Sequence, residues 1–384
     1  MPPVASASRP ALLKAVADRI NRLFAQGHLD GAEVLLTTLS GEPGMAAYLA
    51  HMRGLIAWRR GDNAQARQQL AATISLEPTN AEAHANLGAL LIEAGHRAAA
   101  VAAYEAALTL RPRRPAALVG LGKALAELGL FDLAIDAYRD VLAAEPDHPS
   151  ATADLAALLD DTSTTTSRQQ RIERPLGDDD RRVLCDALFV QGVRHHRDNA
   201  VDRSITSFDC VLTLDPDHVN TLCNLGALER DRGHHDRALG LLRHAVGLAP
   251  EFVAARLALG DTLLVSGRAD EAIAQFREAL DRAPLNDAVH ASLALGFRAT
   301  GDFGAAISHF EQAVLINRQQ SAEFYLALGQ TLIATNQLPG AAICLQHAFD
   351  LDPALLPARE ALQLIDPLIV VATGGVAATA QPAA

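Results

Sequence analysis

The sequence predicts an all-α fold, a solenoid of helical hairpins, and three observations predict it. Proline and glycine recur with one shared spacing: Pro78, Pro112 and Pro146 stand 34 residues apart, as do Pro216, Pro250 and Pro284. Gly54, Gly88 and Gly122 keep the same interval, as do Gly192, Gly226 and Gly260; Ala294 then takes the slot, and Gly329 follows one residue late. Between these markers the apolar residues recur at helical spacing on both sides of a second glycine. Alanine and leucine dominate and aromatics make up only 4%, a mixture that loses little side-chain freedom in a helix.

One unit shows the logic. Residues 81–112, AEAHANLGALLIEAGHRAAAVAAYEAALTLRP, read as helix, turn, helix around Gly95. Gly88 falls inside the first helix, where glycine costs about 1 kcal/mol relative to alanine. A repeated cost of this kind requires a compensating close approach by another helix. On the second helix Ala100 and Ala107 flank Tyr104, a small–large–small pattern. Equivalent trios are Ala134, Tyr138 and Val141; Ala238, Leu242 and Ala245; Ala272, Phe276 and Ala279; and Ala306, Phe310 and Ala313. The prolines end the second helices, because proline lacks the donor and biases the residue before it away from helical angles. Gly61, Gly95, Gly129, Gly233, Gly267 and Gly301 occupy the turn slot that a left-handed cap demands. Asn199 and Asn336 fill the same slot in two units, and asparagine is the residue that best replaces glycine there.

The period fails once. Pro146 to Pro216 is 70 residues, two periods plus two, so the stretch DTSTTTSRQQRIERPLGDDDRR, 161–182, replaces part of a repeat. Its first helix survives over 150–161, with Leu155 and Ala156 in the expected slots, and its second is lost. The predicted organisation is an N-terminal stretch without structure (1–11) and a first array (12–160) of about four repeats plus a capping half-repeat. A polar linker (161–182) leads to a second array (183–366) of about five repeats plus a capping helix over 356–365, followed by a tail (367–384). With few apolar residues in the linker, little apolar contact is expected to cross it, so the arrays would move as separate bodies.

The units resemble tetratricopeptide repeats, matching that family's small residue at the eighth position, glycine at the turn, small residues flanking an aromatic, and terminal proline. The resemblance covers about residues 12–160 and 183–365, with a degenerate first unit (13–46) and Arg318 in a proline slot near the end. It implies a right-handed superhelix with the first helices lining a concave groove. Carried over position by position, it implies groove residues Arg53, Trp58, Asn86, Lys123, Asn220, Asn224, Arg230, Asp261, Arg298 and Gln330, beside His51 and Glu82, facing a protein or peptide partner. Members that clamp a carboxylate terminus use lysines as well as asparagines; only Asn86 and Asn224 match that clamp. The asparagine ladder of the related N-acetylglucosamine transferases is broken here by Gly120, Val190, Ala258, Ser292 and Ala327.

The chemistry-bearing strings are weak. HRD at His196–Asp198 and DFG at Asp302–Gly304 occur in kinases, but about a hundred residues separate them and each falls at an inter-helix turn. The doublets His195–His196 and His234–His235 are out of step with one another and read as solvated turn residues, whereas His84 and His290, in a slot the family often fills with an aromatic, read as packed side chains. No phosphate loop, nucleophile elbow or metal-spaced cysteine set occurs, and the repeats leave no stretch long enough for a catalytic domain. The expectation is therefore a non-catalytic scaffold or adaptor without cofactor or metal, whose solenoid ends allow homo-oligomers. The alternative is an accessory subunit of a bacterial glycan-assembly or protein-glycosylation system similar to the N-acetylglucosamine transferases, and a remote alternative is an enzyme. A net charge of -12 disfavours nucleic acid. Free cysteines inside helical patterns, no leader-like start and no long apolar run point to a cytoplasmic protein without membrane insertion. Only two of 33 basic residues, Lys14 and Lys123, are lysines, a bias seen in GC-rich bacterial coding sequence.

Overall fold

In the computed structural model, which describes residues 9–162 and 176–372, every regular element is a helix and the chain forms two compact units, Met1–Pro216 and Asp217–Ala384. Unit 1 contains the hairpins α1 (Arg9–Ala25) with α2 (Leu29–Thr38), α3 (Ala46–Arg59) with α4 (Asn63–Leu76), α5 (Ala81–Glu93) with α6 (Arg97–Leu110), and α7 (Pro115–Glu127) with α8 (Phe131–Ala144). The single helix α9 (Pro149–Thr162) follows, and then the hairpin of α10 (Asp178–Arg197) and α11 (Val201–Leu214). Unit 2 contains α12 (Val219–Asp231) with α13 (His235–Leu248), α14 (Val253–Val265) with α15 (Ala269–Arg282), α16 (Asp287–Thr300) with α17 (Phe303–Ile316), and α18 (Ala322–Ala334) with α19 (Leu338–Leu351), closed by α20 (Leu356–Ala372). Within each unit a hairpin packs on the next, and first helices also touch first helices, as α5 does α7 and α14 does α16. This is a helical-hairpin solenoid in each unit.

The turn chemistry is as expected. Gly61, Gly95, Gly129, Gly233, Gly267 and Gly301 all have φ between 76° and 83°, and Asn199 and Asn336 have φ of 59° and 63°. The left-handed residue lets the next amide reach back to the helix: Ala200 N–H donates to His195 O at 2.8 Å and Gln337 N–H to Leu332 O at 2.8 Å. Second helices stop where proline requires it. Glu77, Arg111, Glu145, Asp215, Ala249 and Ala283 each end a helix one residue before the proline, with ψ between 68° and 90°.

The repeated glycine accommodates the large residue of its own hairpin. A Cβ added to Gly260 would lie 2.2 Å from Phe276 Cε1, one on Gly192 2.5 Å from Phe208 Cε1, and one on Gly122 2.7 Å from the Tyr138 ring. Tyr104 is held on two sides: a Cβ on Gly88 would come within 3.0 Å of its ring, and one on Gly120, in the next hairpin, within 2.2 Å of its Cζ. The flanking alanines 100, 107, 134, 238, 245, 272, 279, 306 and 313 are fully buried.

Three expectations are corrected. The lost second helix was expected to leave little apolar contact across residues 161–182. Instead α10 packs on α6 and α11 on α8, and Leu184, Cys185, Leu188 and Val211 share one core with Tyr104, Leu108 and Tyr138. Three apolar residues of α10, Leu184, Cys185 and Leu188, found a complementary apolar face on second helices upstream, which a reading of the linker alone does not see. The capping helix is also longer than 356–365, running on to Ala372 through Pro367. Helix also enters the stretches 1–11 and 161–182 expected to lack it, α1 from Arg9 and α10 from Asp178; residues 1–8, 163–175 and 373–384 lie outside the described residues, and with them the rest of those expectations.

Candidate functional site

The first helices carry the residues that the sequence placed on a binding face, and each unit brings some of them together. In unit 1, Arg53 is half-buried on α3. Trp58, at the end of the same helix, donates its Nε1–H to Glu93 Oε2 on α5 at 2.7 Å. Asn86 Nδ2 lies 3.3 Å from His51 Nε2, again joining α5 to α3. Exposed Lys123 on α7 lies 3.7 Å from Asp154 on α9. These links run sideways, from each first helix to the next.

Unit 2 repeats the arrangement. Asn220 and Asn224 are exposed on α12 and bonded within the helix, Asn224 Nδ2 to Asn220 O at 2.8 Å. Arg230 pairs with Asp231 at 2.8 Å, and its field also reaches Asp261 on α14. Burial pushes the Asp261 carboxyl above its ordinary range, against the pull of Arg230 and of Ser292, whose Oγ donates to it at 3.4 Å from α16. Arg298 on α16 donates to Gln330 Oε1 on α18 at 2.9 Å. Two hydrogen bonds thus join successive first helices here, Ser292 to Asp261 and Arg298 to Gln330.

The histidines divide differently from the expectation. His290 is packed as predicted and His84 is only half-buried, but both are tied to the preceding turn: His84 Nε2 to Pro78 O and His290 Nε2 to Pro284 O, each at 3.1 Å. Arg256 Nε does the same to Pro250 O at 2.9 Å and the Tyr325 hydroxyl to Arg318 O at 3.1 Å. The sequence reading missed this recurring clasp, although its signal was present as a donor-bearing side chain in one repeat slot. The DFG string is a helix start, with Asp302 Oδ1 accepting from Ala305 N–H at 3.0 Å.

His195 corrects the solvated-turn reading. It lies in α10 and is buried, 3.4 Å from Ser207 Oγ, beside Arg194, which forms a buried ion pair with Glu105 of α6 at 3.1 Å. Burial, with the Arg194 charge adding to it and a hydrogen bond to the Arg203 backbone opposing it, pushes the His195 imidazole down to about 4. A base depressed in the folded state is protonated first in the unfolded chain. As pH falls from 6.5 toward about 4, the unfolded chain therefore binds the extra proton and stability drops, by about 3 kcal/mol for a depression of this size. Below that window the contribution is flat. Glu105 and Asp136, both pushed up by burial, act with the opposite sign, so the measurement is a difference: the stability of wild type minus His195→Gln should decline through that window. Histidine ring NMR should show His195 neutral at pH 5.5; a ring titrating near 6.5 would contradict the burial argument.

Among the described residues no group of three or more histidine, cysteine, aspartate or glutamate side chains is placed to hold a metal ion, and no helix is long and apolar enough to cross a membrane. None of the four cysteines is in a disulfide, and Cys185 and Cys210 are buried.

Comparison with known proteins gives one family. Its profile, described as tetratricopeptide repeat, matches residues 51–95, 86–149, 223–287 and 292–354, together more than half of the chain. No curated protein matches. Among solved structures, a thermophilic repeat protein of Thermus thermophilus is 18% identical with a TM-score of 0.42, over 47% of this chain and 98% of that one. A tetratricopeptide repeat protein from Parabacteroides merdae is 17% identical with a TM-score of 0.38, over 84% and 99%. A chain of the Cut9–Hcn1 hetero-tetramer of the APC/C is 14% identical with a TM-score of 0.45, over 96% and 92%. With the profile matching two segments in each of the two units, this chain belongs to the tetratricopeptide repeat family.

Proposed function

We propose that the chain is a non-catalytic scaffold that binds a protein or peptide partner along the faces made by its first helices. Proteins of this family bind protein partners generally. The observation that supports the reading here is in unit 2, where Ser292 bonds Asp261 between α16 and α14, Arg298 bonds Gln330 between α16 and α18, and the Arg230 charge on α12 pulls on Asp261. Side chains already held by neighbours lose less rotational freedom when a partner binds, which favours their use as contacts. Asp261 and Arg298 are only partly exposed, so a partner that covers them gains charge-assisted hydrogen bonds in a partly desolvated setting.

The test is partner capture from the native host by the full chain. The double variant Arg230→Glu with Arg298→Glu should lower retention of the bound protein at least tenfold, about 1.4 kcal/mol. Ile343→Asp, on the exposed side of second helix α19, should leave retention unchanged. Equal loss from both variants, or from neither, would sink the assignment of binding to the first-helix face.

A further inference from the structure

Unit 1 holds a cavity of about 650 Å³ walled by α1, α3 and the turn from α4 into α5. Its lining combines the apolar Phe24, Met52 and Leu55 with the polar Tyr48 and His51 and the residues Glu77 and Glu82. No lysine or arginine is among the residues lining it. Arg114 approaches Glu82 only at 3.8 Å, and Glu77 accepts a neutral hydrogen bond from Asn80 Nδ2 at 2.9 Å.

His51 adds an independent observation. It is 8% exposed, its Nε2 faces the Asn86 amide nitrogen at 3.3 Å, and its Nδ1 is buried with no hydrogen-bond partner among the described residues. With the Asn86 N–H donating to Nε2, the single ring proton of a neutral imidazole sits on Nδ1, a donor lacking an acceptor. Such an unsatisfied buried group is costly, and a ligand that satisfies it gains that cost back. Burial keeps the ring below its ordinary range although Glu82 and Glu77 both pull it upward. Arg114, outside the lining, holds the ring down further and is, among the described residues, the one cation paired with Glu82, at 3.8 Å.

We propose that this cavity is a subsite for a lysine or arginine side chain of the bound partner. The aliphatic stem matches Phe24, Met52 and Leu55, the cationic head meets Glu77 and Glu82, and the backbone carbonyl of the same partner residue is the acceptor that His51 lacks. Long basic side chains are the natural ligands that combine a stem of this length with a cation. The inference rests on the reading that first-helix faces bind a partner, and it names the chemistry that one part of that face selects.

The experiment uses the full chain with ring-labelled histidine and three capped pentapeptides, Ala-Ala-Xaa-Ala-Ala, in which Xaa is lysine, norleucine or glutamate. The lysine peptide should move the His51 ring resonances saturably and bind at least tenfold more tightly than the norleucine peptide, with the preference weakening as salt rises. The glutamate peptide should leave them unmoved. Glu77→Gln with Glu82→Gln, both exposed positions, should abolish the lysine preference while the buried His195 resonances stay in place, reporting an intact fold. Equal binding of lysine and norleucine, or a lysine preference that survives the double variant, would overturn the subsite. Either result leaves the Arg230 and Arg298 capture test in unit 2 untouched, so the subsite and the scaffold reading fail separately.

Discussion

Arg194→Ala should cost unit 1 about 3–5 kcal/mol at neutral pH, because it strands a buried carboxylate. Glu105 is 1% exposed and both its oxygens accept from the Arg194 guanidinium, at 3.1 and 3.2 Å. Burial already pushes Glu105 above its ordinary range, with Arg194 pulling against it. Without the guanidinium the carboxyl rises further, so the folded variant binds a proton that the unfolded chain releases. Its deficit should therefore shrink as pH falls toward the ordinary glutamate range. Replacing both partners, Glu105→Leu with Arg194→Met, should recover most of the loss, since well-packed apolar groups often match a buried ion pair. Hydrogen exchange of α6 and α10 amides in the full chain reads both effects. Unchanged protection in Arg194→Ala would mean that the apolar contacts of Leu184 and Leu188 seat α10 unaided.

Gly260→Ala should destabilise unit 2 by about 1–3 kcal/mol, the usual cost of overpacking. The new methyl would lie 2.2 Å from Cε1 of Phe276, a ring with no exposed surface and no room to withdraw. The same change at Gly240, in α13, should have the opposite sign. Nothing lies within 4 Å of the added Cβ and the residue is exposed, so Gly240→Ala gains about 1 kcal/mol of helix propensity. Thermal unfolding of the two variants should bracket wild type. A stabilising Gly260→Ala would refute the close approach between α14 and α15.

The contrast between these two glycines marks what the sequence could tell. Both sit inside helices, but only Gly260 recurs at the repeat interval, and recurrence was the sign that something presses on it. The left-handed turns were equally legible, down to Asn199 and Asn336, because cap geometry is a local property that few residues satisfy. The proline stops were legible for the same reason. Local rules repeat with the chain, so each unit tests the reading of the others.

The candidate site was legible in part. Assigning groove positions from the repeat placed Arg298 and Gln330, or Asp261 and its neighbour Ser292, on adjacent first helices, and the structure bonds them to each other. The buried state of His195 was not legible, since a histidine near a helix end beside another histidine looks like any solvated turn. The clasp from His84, Arg256, His290 and Tyr325 to the preceding turn was also missed, because three chemically different donors perform one task and no single residue type repeats.

The sequence by itself determined the all-α class, the hairpin register, the turn conformations and the family. These depend on periodicity and on backbone preferences that act within a few residues. Only the tertiary structure decided that α10 and α11 pack on α6 and α8, that Glu105 and Arg194 meet across 89 positions of sequence, and that Glu77, Glu82 and His51 wall one cavity. Glutamate and arginine on amphipathic helices look alike whether they face water or each other. Which of the two happens is settled by the apolar surface available to cover them, and that surface exists only once the hairpins have stacked.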